Sequence, residues 1–165
     1  MKIKWVLVSA CVALPVSLLA TAAEKFPAQC RVSGLRYEQA NVLLFSQHTS
    51  KPRLYVMENT AHYPIWVTHE KKHNPGASAG WASQIMPMHW SSLLVTRRHF
   101  SLTCQRQAKS GRISTVSCSA VLRVCQFSQF FSKNPISGGY WVAESLPYAA
   151  LEAHIRKRGF ELPTH

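Results

Sequence analysis

The chain has 165 residues with 19 Lys and Arg against 7 acidic residues, a formal net charge of +12. That length suits one domain with a buried core. All seven acids are glutamate, so chemistry that depends on aspartate, such as a Ser-His-Asp relay or an aspartate-rich calcium loop, is excluded. A basic surface favours anionic company, for example an anionic cell-wall polymer.

Residues 1–23 read as a secretory leader. Lys2 and Lys4 precede an apolar run from Trp5 to Leu19, broken by Pro15, and Ala20-Thr21-Ala22-Ala23 supplies small residues for cleavage. The run is shorter than the roughly 20 apolar residues a spanning helix needs, so no stable membrane span is expected after cleavage. Val8-Ser9-Ala10 before Cys11 looks like a lipobox, but the apolar run continues well past that cysteine. The expected mature protein is a single β-rich domain, residues 24–165, in the periplasm or secreted. Nucleic acid is not its expected partner there.

Four cysteines remain after the leader: Cys30, Cys104, Cys118 and Cys125. An even number in an oxidising compartment predicts two disulfides. Three pairings are open. Cys104 and Cys118 flank the turn-like Lys109-Ser110-Gly111-Arg112 almost symmetrically, which favours joining them and leaves Cys30 for Cys125. No Cys-x-x-Cys spacing supports a metal site instead.

In chain order, strand-like segments fall at 29–32, 41–46, 53–57 and 65–69. They are short runs rich in β-branched and aromatic residues between turn clusters, the pattern of antiparallel structure. The loop that follows holds two motif matches. His69-Glu70-Lys71-Lys72-His73 fits the zinc-protease pattern His-Glu-x-x-His, which needs a helix so that both histidines share a face. Its context is a strand before it and Asn74-Pro75-Gly76 just after it, and the third-ligand position of the extended pattern is Ala79. A small zinc-dependent hydrolase is therefore an alternative reading, separable by whether a helix or a strand carries His69. Gly76-Ala77-Ser78-Ala79-Gly80 fits the hydrolase elbow Gly-x-Ser-x-Gly, but a proline turn precedes it and a strand follows, the reverse of what that motif requires. No catalytic residue, metal ligand or cofactor is assigned.

The bland reading of this region is a loop of small and basic residues. Its functional reading is a candidate binding surface formed by His69, Lys71, Lys72, His73, Trp81 and Trp90, because aromatic residues beside a basic loop make contact surfaces. A cell-wall glycan-binding module using Trp81 and Trp90 is a further alternative.

Strand-like segments resume at 80–85, 91–96, 100–105, 113–118, 121–127 and 139–143. The chain closes on a helix expected from 147 to 158. Ser145 would cap it, Pro147 suits its first turn, Leu151 and Ile155 share a face, and Gly159 stops it. Arg156-Lys157-Arg158 lie in the last turn, where cations complement the helix dipole. The expected fold is mostly β: an antiparallel β-sandwich with a C-terminal α-helix and two disulfides.

Several stretches carry a family likeness along most of the mature chain: Gln29-Cys30-Arg31-Val32-Ser33-Gly34-Leu35, Pro64-Ile65-Trp66-Val67-Thr68-His69, and the run from Asn74-Pro75-Gly76-Ala77-Ser78-Ala79-Gly80-Trp81 to Trp90-Ser91-Ser92-Leu93. Val124-Cys125-Gln126-Phe127 and Arg158-Gly159-Phe160-Glu161-Leu162-Pro163 complete the set. In this order they resemble the enhanced entry protein EnhB family of intracellular bacterial pathogens. The resemblance implies a periplasmic or secreted virulence protein linked to host-cell entry or intracellular survival, acting with companion Enh proteins at the envelope. It carries over no catalytic residue. The expected function is thus a non-enzymatic envelope protein that binds another envelope component, with an envelope protein as its partner.

Overall fold

The computed structural model describes residues 26–27, 30–31, 35–39, 42–46, 51–69, 81–97, 99–127 and 129–163. The leader and the loop from Glu70 to Gly80, with both of its motif matches, lie outside the described residues.

The chain forms β1 (Cys30–Arg31), β2 (Leu35–Gln39), β3 (Val42–Ser46), β4 (Arg53–Asn59), β5 (Ile65–His69), β6 (Trp81–Ile85), β7 (Trp90–Val95), β8 (His99–Gln107), β9 (Ile113–Val116), α1 (Cys118–Val121), β10 (Leu122–Phe127), β11 (Phe131–Ser132), β12 (Tyr140–Leu146), α2 (Tyr148–Lys157) and β13 (Phe160–Glu161). One sheet has the order β1-β10-β4-β7-β12; the other runs β2-β3-β8-β5-β6, with β9 also paired to β8. β11 and β13 make a separate two-stranded ribbon. The paired strands are antiparallel throughout the described residues.

The first sheet is the middle layer of three. Side chains alternate across a strand, and here both faces find apolar partners. On β4, Tyr55 and Met57 join the core facing the second sheet, while Leu54 and Val56 join the core on the other side. β7 divides the same way, with Leu93 and Val95 inward and Trp90 and Leu94 outward. Leu151 and Ile155 of α2, together with Phe160 and Leu162, cover that outer face. β4 and β7 are buried along nearly their whole length for this reason, as strands sandwiched on both faces are.

Both disulfides join the cysteines as favoured, Cys104 to Cys118 and Cys30 to Cys125. The first closes the β8–β9 hairpin within the inter-sheet core, and the second ties the entry of the chain to β10 in the outer core. Among the described residues, charge is buried at one place. Glu58 on β4 stands opposite Arg123 on β10, and the two form an ion pair with the carboxylate almost fully enclosed. The Arg123 guanidinium also lies over the rings of Phe26 (4.8 Å) and Trp90 (5.6 Å), contacts that offset part of the desolvation.

The helix begins one residue later than expected and without the expected cap. Pro147 occupies the N-cap position with no side-chain capping bond. Ser145 instead lies within β12, one residue before its end, in a left-handed conformation, φ 46°. Its hydroxyl accepts the Met86 N–H at 2.9 Å and its own N–H donates to Ser91 Oγ at 2.9 Å, so it serves the sheet and not the helix. Leu151 and Ile155 are buried as the spacing predicts, and Gly159, at φ 89°, ends the helix. A Cβ there would stand 3.0 Å from Asn134 Nδ2. Further differences from expectation are the strand β2, the small ribbon, and the single turn α1 where a strand was expected to end at Cys118.

Candidate binding surface

Of the six residues expected at a binding surface, His69 is the best defined. It ends β5, opposite Trp81 of β6. Its ring stacks on Phe100 at 4.2 Å and its Nδ1 donates to the Ser101 carbonyl at 2.8 Å. Because His69 belongs to a strand paired on both sides through its neighbour Thr68, it does not start the helix that a His-Glu-x-x-His zinc site requires. Among the described residues, no group of three or more His, Cys, Asp or Glu is close enough to hold a metal ion. Lys71, Lys72 and His73 lie outside the described residues.

Trp90 corrects an expectation. Its relative exposure is 0%, because β7 lies in the middle layer and the indole faces the outer core. Phe26 meets it edge-on at 6.0 Å and Tyr148 tilts against it at 5.2 Å. A side chain so enclosed cannot stack on a sugar, so the glycan reading loses one of its two tryptophans. Trp90 is a packing residue at the junction of the chain entry, β7 and α2.

A surface that the sequence reading passed over lies around the small ribbon. Phe131 of β11 is 64% exposed. Phe130, its neighbour, is half-buried against the outer core, 5.9 Å from Phe160. Phe130 lies just before β11 and packs inward, while Phe131 begins the strand and shows its ring to solvent. On one side of this pair is an open concavity of about 620 Å³ that Lys133, Arg156 and Leu162 also line. On the other is a shallower one of about 390 Å³ that includes Lys51, Pro52 and Ile136.

The ribbon's shape follows from local chemistry. Phe131 and Ser132 pair with Glu161 and Phe160, the Lys133 N–H donates to the Gly159 carbonyl at 2.9 Å, and Lys133 forms an exposed ion pair with Glu161 at 3.2 Å. Such an exposed pair adds little stability. Arg156 donates to the Leu162 carbonyl at 3.2 Å, which fixes the guanidinium beside the larger concavity. Of the basic triplet at the end of α2, Arg156 thus lines this concavity. The arrangement is an exposed aromatic ring between two shallow hollows, with cations on both sides and no enclosed chamber in which to exclude water from a reaction. No protein-family model, curated protein or solved structure matches the chain.

Proposed function

We propose that the mature chain is an exported, non-enzymatic envelope protein that binds another envelope protein through the Phe130–Phe131 surface, in support of host-cell entry or intracellular survival. The observation that carries this reading is Phe131, a large apolar side chain 64% exposed and flanked by Lys51, Lys133 and Arg156 around two hollows. Aromatic anchors beside arginine are the usual energetic centres of protein interfaces. Arg156 and Lys51 add positive charge that favours an acidic partner, while Lys133 is shared with Glu161 at the rim of the larger hollow. Two buried disulfides support an oxidising compartment. No helix among the described residues is long and apolar enough to cross a membrane.

Crosslinking the mature protein at native level in the envelope fraction, followed by affinity capture, tests the reading. One reproducible protein partner, lost when Phe131→Glu is introduced, is the expected result. Recovery of cell-wall fragments alone would replace the protein partner with an anionic polymer and overturn the proposal.

A further inference from the structure

The turn between β6 and β7, Met86-Pro87-Met88-His89, breaks the rule that governs its own geometry. The His89 N–H donates to the Met86 carbonyl at 3.0 Å, closing a β-turn with proline at the second position. Met88, at the third, has φ 59°, the left-handed region that such turns fill with glycine or asparagine. Core packing does not explain the choice, since Met86 is 42% and Met88 55% exposed. Methionine is ordinarily a gap-filler of cores.

The turn is nevertheless held firmly. The Met88 N–H donates to the Asn59 carbonyl at 2.9 Å, and the Asn59 N–H to the His89 carbonyl at 3.0 Å. The Met86 N–H donates to Ser145 Oγ at 2.9 Å. Ser145 is itself left-handed, so the two non-glycine residues with positive φ among the described residues sit on adjoining segments joined by this bond. Backbone strain concentrates in this way where a site must be held in place.

His89 supplies an independent observation. Its Nδ1 lies 3.0 Å from the Pro87 carbonyl oxygen. A carbonyl only accepts, so Nδ1 carries a proton here and Nε2 is the ring nitrogen left for a ligand. Histidines that bind metals characteristically donate their second ring N–H to a carbonyl or carboxylate, which fixes both tautomer and orientation.

We propose that Met86, Met88 and His89 form a binding site for the cuprous ion, with two thioether sulfurs and one imidazole nitrogen as ligands. Thioethers select soft monovalent copper over zinc, calcium or magnesium. The turn contains no carboxylate, and the chain is strongly basic, both of which disfavour a dication more than a monocation. Each sulfur is carried on three rotatable bonds, exposed to solvent, on a turn whose backbone is already fixed. Cys30, Cys104, Cys118 and Cys125 are all in disulfides and offer no competing thiolate. This site is separate from the Phe131 surface and does not depend on partner binding.

The test is titration of the oxidised mature protein with Cu(I), kept reduced by ascorbate, in competition with a chromogenic Cu(I) chelator. One equivalent bound is expected. Met86→Leu and Met88→Leu, which keep side-chain size and fold, should each weaken binding by about tenfold or more, and the double variant should abolish it. Methionine methyl NMR should show Met86 and Met88 shifting with Cu(I) while buried Met57 stays in place. Failure of the wild type to compete with the chelator, or equal binding by the double variant, would overturn the proposal.

Discussion

Asn59 offers a demanding test of how the layers are joined. It is wholly buried at the end of β4. Its Nδ2 donates to the Tyr63 and Ile85 carbonyls, both at 2.9 Å, and its Oδ1 accepts the Ala61 N–H at 2.9 Å. The amide therefore ties the middle sheet to the end of β6 in the second sheet and to the turn leading into β5. Asn59→Leu keeps the volume but leaves three backbone groups without their partner. At about 1–3 kcal/mol for each stranded group, partly relieved by relaxation, the loss should be about 3–5 kcal/mol. With a urea slope of about 1–3 kcal/mol per molar, the midpoint should fall by about 2 M. Asn59→Ala, which leaves space for water to replace the amide, should be milder. Equilibrium urea unfolding followed by tryptophan fluorescence reads both values. A loss below about 1 kcal/mol for Asn59→Leu would refute the view that these bonds, and not apolar packing alone, join the layers.

The disulfides should differ in weight. By loop-closure entropy, removing the bridge across 95 residues, as Cys30→Ala with Cys125→Ala, should cost about 4–5 kcal/mol, and removing the one across 14 residues, as Cys104→Ala with Cys118→Ala, about 3 kcal/mol; unchanged melting under reducing conditions would contradict both. Met88→Gly should raise stability by about 1 kcal/mol, because glycine relieves the left-handed strain that methionine bears, and a clear loss in thermal melting would show that the methionine packs in a way its exposure hides. Trp141 Nε1 is buried without a hydrogen-bond partner among the described residues, so Trp141→Phe should change stability by less than about 1 kcal/mol, the lost area being offset by removal of an uncompensated N–H; a loss above about 3 kcal/mol in the same urea assay would mean that this N–H has a strong partner.

Much of the architecture was legible because short apolar runs and turn clusters are local signals. β4, β5, β6, β7 and β10 fall where β-branched and aromatic residues gather, and the pair Leu151 and Ile155 marked the buried stripe of α2. The near-symmetric placing of Cys104 and Cys118 about a turn was enough to favour the pairing observed. The third layer was harder to see. Leu54-Tyr55-Val56-Met57 is apolar at every position, and only the packed structure shows which faces its side chains serve. Ser145 carries the sequence chemistry of a helix cap, yet two hydrogen bonds to neighbouring elements claim it. Trp90 looked like surface for want of any local mark that β7 lies in the middle layer. The Phe131 surface had one usable sign, two adjacent phenylalanines close to a lysine, and it depends besides on a ribbon closed by residues about 30 positions along the chain. Lys71, Lys72 and His73 stay an expectation of the sequence alone.

The most direct measurement places a photo-crosslinking residue at position 131 of the exported protein, with a control at position 113, where Ile113 is comparably exposed on β9. Irradiation in the intact envelope should yield one protein adduct from position 131 and none from 113, and Lys133→Glu with Arg156→Glu should suppress it. Equal labelling from both positions, or no protein adduct from 131, would contradict the claim that the Phe130–Phe131 surface is where this protein meets its partner.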